Sequence, residues 1–269
     1  MTHRHVAAAA LALAASLAVA CGAVYPEITS PLRAPPAGVT LEPPPPENLV
    51  YLGFKEGQAP ERTRDGRPWH ELGSKLPDPF AILYVNGKEL IKTNPQSSTL
   101  NPTWPDAAKG NYRIEKTDKL RVEMWQSGLV NAPMCVKDLG TPDAEWLAAR
   151  QVSINCPSGA RVVLHFAPAE GQLGYGFYFE LRTQAVFVSR VYQESPAARA
   201  GVAVGDQILM MGDKPVKLMS SGEMQSYVNA GKVEGIKLQL KKRGGETVDV
   251  ELKEGGVYPL FSETATVAK

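Results

Sequence analysis

The chain has 269 residues, with 29 lysines and arginines against 28 aspartates and glutamates. So even a balance offers no basic face for a nucleic-acid backbone. Three cysteines without a Cys-x-x-Cys pair, and four scattered histidines, make metal binding improbable.

At the N-terminus, Arg4 and its flanking histidines precede an alanine- and leucine-rich run from Val6 to Ala20. The run is too short to span a bilayer comfortably, so residues 1–20 read as a secretory signal peptide. Removing them leaves 269 − 20 = 249 residues, room for two modest domains in an exported, mostly β protein. The run ends Leu17-Ala18-Val19-Ala20-Cys21-Gly22, which resembles a bacterial lipobox with its usual leucine displaced by one position. The resemblance implies that Cys21 becomes the mature N-terminus and carries several acyl chains, palmitate among them, since a single chain anchors only marginally. That would place the chain in the bacterial cell envelope. The missing Asp after Cys21 points, by analogy with enterobacterial sorting, to the outer membrane, facing the periplasm or the cell surface. Ordinary signal cleavage beside a coincidental cysteine is the alternative. With Cys21 acylated, Cys135 and Cys156 are the only thiols left in an oxidising compartment, and a disulfide between them is expected.

Residues 21–46 form a lipidated N-terminus and proline-rich linker, with Pro35-Pro36 and the run Pro43 to Pro46. Such a segment prefers extended polyproline II, a stiff spacer holding the domains off the membrane with no recognition role of its own.

Residues 47–168 read as a β domain. Phe80 to Val85 and Lys88 to Lys92 flank Asn86-Gly87, the strongest short-range hairpin signal. Leu120 to Trp125 alternates inward Leu, Val and Met with outward charge. Asp143-Ala144-Glu145 after Thr141-Pro142 reads as a helix start, with a short helix from Thr141 to about Arg150. The order Asp78-Pro79-Phe80, Tyr84-Val85-Asn86-Gly87, Thr99-Leu100-Asn101-Pro102-Thr103-Trp104, Leu120 to Trp125 and Asp138-Leu139-Gly140 resembles a C2 domain, an eight-stranded β-sandwich. Many C2 domains bind calcium through loop carboxylates. Here Asp78 matches one ligand place, but Leu72, Gln126, Gly128 and Lys137 stand at the others, with Asp138 one position off. Calcium wants six to eight oxygens, several of them charged, so no functional calcium site is expected.

Residues 171–254 open on Gly174-Tyr175-Gly176-Phe177. Flanking glycines allow a tight turn whose successive amides can cradle an anion; an ordinary glycine-rich hairpin turn is the alternative. The strand Phe177 to Arg182 follows, and it can pair with an added strand. Ser195-Pro196-Ala197-Ala198-Arg199-Ala200-Gly201 reads as a complete short helix with Ser as cap, Pro first and Gly as stop. A buried strand at Ile208 to Met211, a helix from about Ser220 to Ala230, and strands Ile236 to Lys242 and Thr247 to Leu252 complete the pattern. Lys241-Lys242-Arg243 reads as a solvated turn. The Gly-Tyr-Gly-Phe loop, Ser-Pro-Ala-Ala-Arg-Ala-Gly and Gly205-Asp206-Gln207-Ile208-Leu209 together closely resemble a PDZ domain, an α+β, partly open barrel with two helices. The resemblance implies a groove between the Phe177–Arg182 strand and the Ser220–Ala230 helix. Tyr175, Gly176 and Phe177 would supply carboxylate-binding amides there, and Phe177, Phe179, Met224 and Val228 a pocket. For Met224 and Val228, plain core packing on one helix face fits the spacing equally well. Ser220 and Ser221 stand where many family members carry a His, which leaves a preference for hydrophobic or aromatic ligand ends. Residues 255–269 read as a tail.

No Gly-x-Ser-x-Gly, phosphate loop or His-Glu-x-x-His occurs, and His70 and His165 have no evident nucleophile. The expectation is a mainly β, membrane-anchored, non-catalytic adaptor without a cofactor. Its groove would bind C-termini or extended segments of envelope proteins. A subunit presenting substrates to a separate envelope protease, or a lipid-surface protein acting through the C2-like domain, is the alternative.

Overall fold

The computed structural model describes residues 27–29, 31–70, 75–105, 108–183, 185–231 and 234–265. The expectations for residues 1–20 and Cys21 lie outside them. The chain is mainly β. Its first strand is β1 (Glu27–Thr29), and next come β2 (Leu49–Gln58), β3 (Pro79–Val85), β4 (Lys88–Lys92), β5 (Gly110–Arg113), β6 (Leu120–Gln126) and β7 (Ala132–Gly140). Helix α1 (Ala144–Ala149) leads to β8 (Gln151–Asn155) and β9 (Arg161–Pro168).

Strands β2 to β9 make two antiparallel sheets, ordered β5-β2-β9-β8 and β4-β3-β6-β7. One core fills the space between them, with Leu52, Phe54, Leu83, Trp104, Val122, Met124, Leu164 and Phe166 almost wholly buried. This is the sandwich that alternating strands demand, each burying one face against the other sheet. The β3–β4 turn needs a left-handed backbone at both central residues, and Asn86 (φ 51°) and Gly87 (φ 78°) supply it. Asn86 also ties the turn down, donating to Asp118 at 2.7 Å and accepting from the Lys119 amide at 2.9 Å. Trp104 is 2% exposed, its indole N–H donates to Asn94 O at 3.2 Å, and its ring meets Phe54 edge-on at 6.0 Å. Cys135 on β7 and Cys156 just after β8 form the expected disulfide, Cα atoms 5.6 Å apart, so an edge strand of one sheet is stapled to an edge strand of the other. Helix α1 begins three residues later than the sequence suggests. Asp143, not Thr141, is the cap, its carboxylate accepting from the Glu145 amide at 2.9 Å.

The second half contains β10 (Gln172–Gly174), β11 (Phe177–Arg182), β12 (Ala185–Val191), α2 (Pro196–Arg199), β13 (Gln207–Met211), β14 (Lys214–Pro215), α3 (Ser221–Ala230), β15 (Ile236–Lys241), β16 (Thr247–Leu252), β17 (Gly255–Val257) and α4 (Phe261–Ala265). Its main sheet runs β1-β11-β12-β13-β15-β16, with β14 beside β13, and it does not close into a barrel. Helix α2 starts as expected, Ser195 Oγ accepting from the Ala198 amide at 3.2 Å with Pro196 in the first turn. Helix α3 is opened by a reciprocal capping box between Ser220 and Glu223. Ile208 and Met211 of β13 are buried, whereas Leu209 and Met210 are only half-buried, because a register shift interrupts the strand between Ile208 and Met210. The Lys242 side chain is not a solvated turn residue. Its ammonium lies 2.7 Å from the Asp206 carboxylate, whose side chain is 3% exposed.

The described residues of the stretches expected to be a free spacer and a tail (27–29, 31–46 and 255–265) make contacts with both domains. Arg33 pairs with Leu173 in a bridge, Glu42 O accepts from the Gly256 amide at 3.0 Å, and Tyr258 donates to Pro43 O at 2.9 Å. β17 pairs with β10. Past it the chain returns to the sandwich, where Phe261 stacks on Tyr112 with ring centroids 5.4 Å apart. Asn111, 5% exposed, bonds both to Glu170 (Nδ2 to O 2.8 Å, N to Oδ1 2.9 Å) and to Pro259 O (3.0 Å). Leu49, Ala169 and Tyr258, with Leu41 and Leu260 against them, form a small third core at this junction.

Candidate peptide-binding groove

The groove is built by a turn, a strand and a helix. Gly176 takes φ +78°, and a Cβ there would lie 2.2 Å from Ser195 Cβ, so only glycine lets the turn approach α2 this closely. Tyr175 O accepts from the Ala197 amide at 3.0 Å, and Gly176 O accepts from the Tyr192 amide at 2.8 Å. Each carbonyl therefore faces the α2 side. Because a trans peptide sets its N–H opposite its C=O, the amides of Gly176 and Phe177 point away from α2.

Beyond the turn, β11 alternates Phe177 and Phe179 inward. Both are buried with Met224 and Val228 in one cluster, so the structure brings together the four side chains expected in the pocket, and the Tyr175 side chain, expected only to contribute its amide, joins them. Phe177 and Phe179 stack at 5.9 Å, and Tyr175 meets Phe177 edge-on at 6.5 Å. The Tyr175 hydroxyl is buried with no partner among the described residues. Burial first, then the nearby Glu254 carboxylate, pushes its pKa up to about 12.

The groove is already occupied. β1 pairs antiparallel with β11, Glu27 opposite Glu180, Ile28 opposite Phe179 and Thr29 opposite Tyr178. Ile28 is 5% exposed and belongs to the same cluster as Phe179, Met224 and Val228. From the helix side, Gln225 Nε2 donates to Thr29 O at 2.6 Å, and from the strand side Thr29 Oγ1 donates to Phe177 O at 2.9 Å. Past the groove, Leu32 covers Gly174, where an added Cβ would meet its Cδ2 at 2.6 Å. Arg33 then grips Glu254 with two guanidinium bonds of 2.6 Å, the Glu254 side chain being 4% exposed. Ile28, Gln225, Arg33 and Glu254 were not singled out by the sequence. The one signal was the β-branched pair Ile28-Thr29 within a proline-rich run.

At the sandwich end that bears Asp78, side chains knit the loops together. Asp78 Oδ1 accepts from the Ser98 amide at 2.6 Å, its own N–H donates to Gln126 Oε1 at 2.7 Å, and Gln126 Nε2 lies 3.1 Å from His70 Nε2. Lys137 donates to Asn155 O at 3.2 Å. Leu72 lies outside the described residues. Among those described, no group of three His, Cys, Asp or Glu side chains gathers that could hold a metal. In the β6–β7 loop, Leu129 and Val130 stand fully out in solvent.

Two family models match the chain, the C2 domain over residues 61–136 and the PDZ domain over residues 173–253. A C2 domain therefore precedes a PDZ domain. No curated protein matches. Among solved structures, the chain is similar to one described as a C2 domain, at 12% identity and TM-score 0.33, over 44% of this chain and 95% of that one. It is also similar to the first C2 domain of plant extended synaptotagmin 1, at 17% identity and TM-score 0.31, over 46% and 96%. Human GIVD cytosolic phospholipase A2 bound to an inhibitor matches at 13% identity and TM-score 0.31, over 53% of this chain and 19% of that one. A C2 domain and a PDZ domain together suit an adaptor that binds protein or lipid.

Proposed function

We propose that the chain is a non-catalytic adaptor of the bacterial cell envelope, held at a membrane by acyl chains on Cys21, whose PDZ groove captures C-termini or extended segments of envelope proteins. The observation that carries the groove reading is β1 itself, an extended strand added to β11 with Ile28 in the apolar cluster. Adding a strand to an exposed sheet edge draws affinity from main-chain bonds and specificity from alternate side chains. The Cys135–Cys156 bond supports an oxidising compartment.

The test is selection of peptides with random C-termini and random internal sequence against the full chain and against its Ile28→Asp variant. Binders that shift the amides of Tyr178, Glu180 and Gln225 in NMR spectra support the groove. Binders that shift only other residues, or none from either protein, overturn it. A Gly176 substitution is a poor control, because its side chain would strike Ser195 and damage the fold.

A second reading rests on Leu129 and Val130, two adjacent aliphatic side chains exposed at a loop tip, a place where apolar groups meet water with no folding benefit. A lipid surface would cover them. Sedimentation of Cys21→Ser protein with anionic vesicles, lost on Leu129→Ser with Val130→Ser, supports it; no sedimentation of the parent protein refutes it.

A further inference from the structure

The segment that fills the groove enters it from one side and leaves by the other. Glu27 faces Glu180 at the far end of β11, Thr29 faces Tyr178 near the glycine turn, and the chain continues past the turn to pair Arg33 with Leu173. Four kinds of contact hold it: the strand pairing, the side-chain bonds of Gln225 to Thr29 O and of Thr29 to Phe177 O, the Ile28 side chain in the cluster with Phe179, Met224 and Val228, and the doubled Arg33–Glu254 bond beyond the turn. Glu27 adds a fifth, accepting from Ser189 Oγ at 3.0 Å and pairing with Arg190 at 3.1 Å. None of these uses a chain terminus.

We propose that Glu27–Thr29 is a built-in competitor, and that the partners of this groove are internal extended segments that displace it. Such a segment sets one β-branched aliphatic side chain where Ile28 sits and carries chain on both sides of the glycine turn. This deepens the groove reading above and rests on it. The occupant shows what fits. Beyond Thr29 the chain sets Leu32 against Gly174, and the pocket between β11 and α3 takes a side chain of isoleucine size. The arithmetic of competition gives the size of the effect. A tethered segment acts at an effective concentration of roughly 1 mM, so if its own intrinsic dissociation constant for the groove is about 10 μM, a partner would bind the self-occupied chain about 100-fold more weakly than an emptied one.

The probe is a fluorescein-labelled synthetic peptide of this chain's own residues 24–34, amidated at its C-terminus, followed by fluorescence anisotropy. Binding to the full chain is expected to be 10- to 100-fold weaker than binding to its Ile28→Asp variant, and intermediate for Arg33→Ala, which loosens the segment outside the groove and leaves the cluster untouched. A peptide ending in a free carboxylate at Ser30 is expected to bind no more tightly than the amidated, longer one. Equal binding to all three proteins overturns the competitor while leaving the groove reading intact. Binding to none of them also overturns it, and the peptide selection above then decides separately whether the groove binds anything. A free carboxylate that tightens binding tenfold or more overturns the internal-segment class.

Discussion

Breaking the Cys135–Cys156 bond is expected to destabilise the C2 domain alone. The bond closes a loop 21 positions long and joins the outer strands of the two sheets, β7 and β8. Cross-linking a loop of that length removes denatured-chain entropy equivalent to about 3 kcal/mol at 25 °C. Cys135 is 3% exposed, so Cys135→Ala with Cys156→Ala also gives up some packing. For a domain of this size a loss of about 3 kcal/mol lowers the melting temperature by roughly 10 °C. The assay is a urea titration followed by tryptophan fluorescence. All four tryptophans (Trp69, Trp104, Trp125, Trp146) lie before β8, and none lies in the PDZ domain. The fluorescence midpoint should therefore fall, while peptide binding by the groove is unchanged. An unmoved midpoint refutes the entropy argument for this loop. Two free thiols on protein taken unreduced from its source would refute both the bond and the oxidising compartment.

Two further outcomes can be checked. Asn111→Ala strips three bonds from Glu170 and Pro259 at a buried site, at a cost of about 2–4 kcal/mol. Hydrogen exchange over residues 255–264 should quicken, and unchanged exchange there would mean that Phe261 on Tyr112 suffices to hold the segment. Glu223 accepts from Lys214 and from the Ser220 amide and hydroxyl, which together hold its carboxyl down at about 2 from the ordinary 4.5. Its help to α3 is therefore present above pH 4.5 and lost as pH falls toward 2. An NMR titration of the Ser220 amide should show a midpoint near the lower value, and one at 4.5 would contradict the bonding.

Local signals carried the elements that local chemistry determines. Asn86-Gly87 fixed a hairpin because its two positive φ angles are cheap for those residues, and Ser195-Pro196 fixed α2 because cap and first-turn preferences coincide. The glycine turn was legible for the same reason, and with it the grouping of Phe177, Phe179, Met224 and Val228, though not the Tyr175 side chain beside them. What could not be read are the segments ordered only by distant partners. Glu27–Thr29 is too short for any periodicity, and its partner β11 lies about 150 positions away. Phe261 finds Tyr112 by the same long route, so a stretch that looks like a tail becomes part of the sandwich edge. Lys242 shows the limit for charge: three basic residues in a row suggest solvent, but only the fold reveals the buried Asp206 beside one of them.

The place where β1 begins sets a length. Glu27 lies only 27 − 21 = 6 residue steps from Cys21, and a fully extended chain covers about 20 Å in that span. For a chain anchored through Cys21, a filled groove thus keeps the PDZ domain on a short leash, close against the bilayer. Once β1 and Arg33 let go, the next fixed point is Glu42 on Gly256, 42 − 21 = 21 residues from the anchor, or about 70 Å of slack. Occupancy of a three-residue strand would then decide how far from the membrane surface the adaptor can reach.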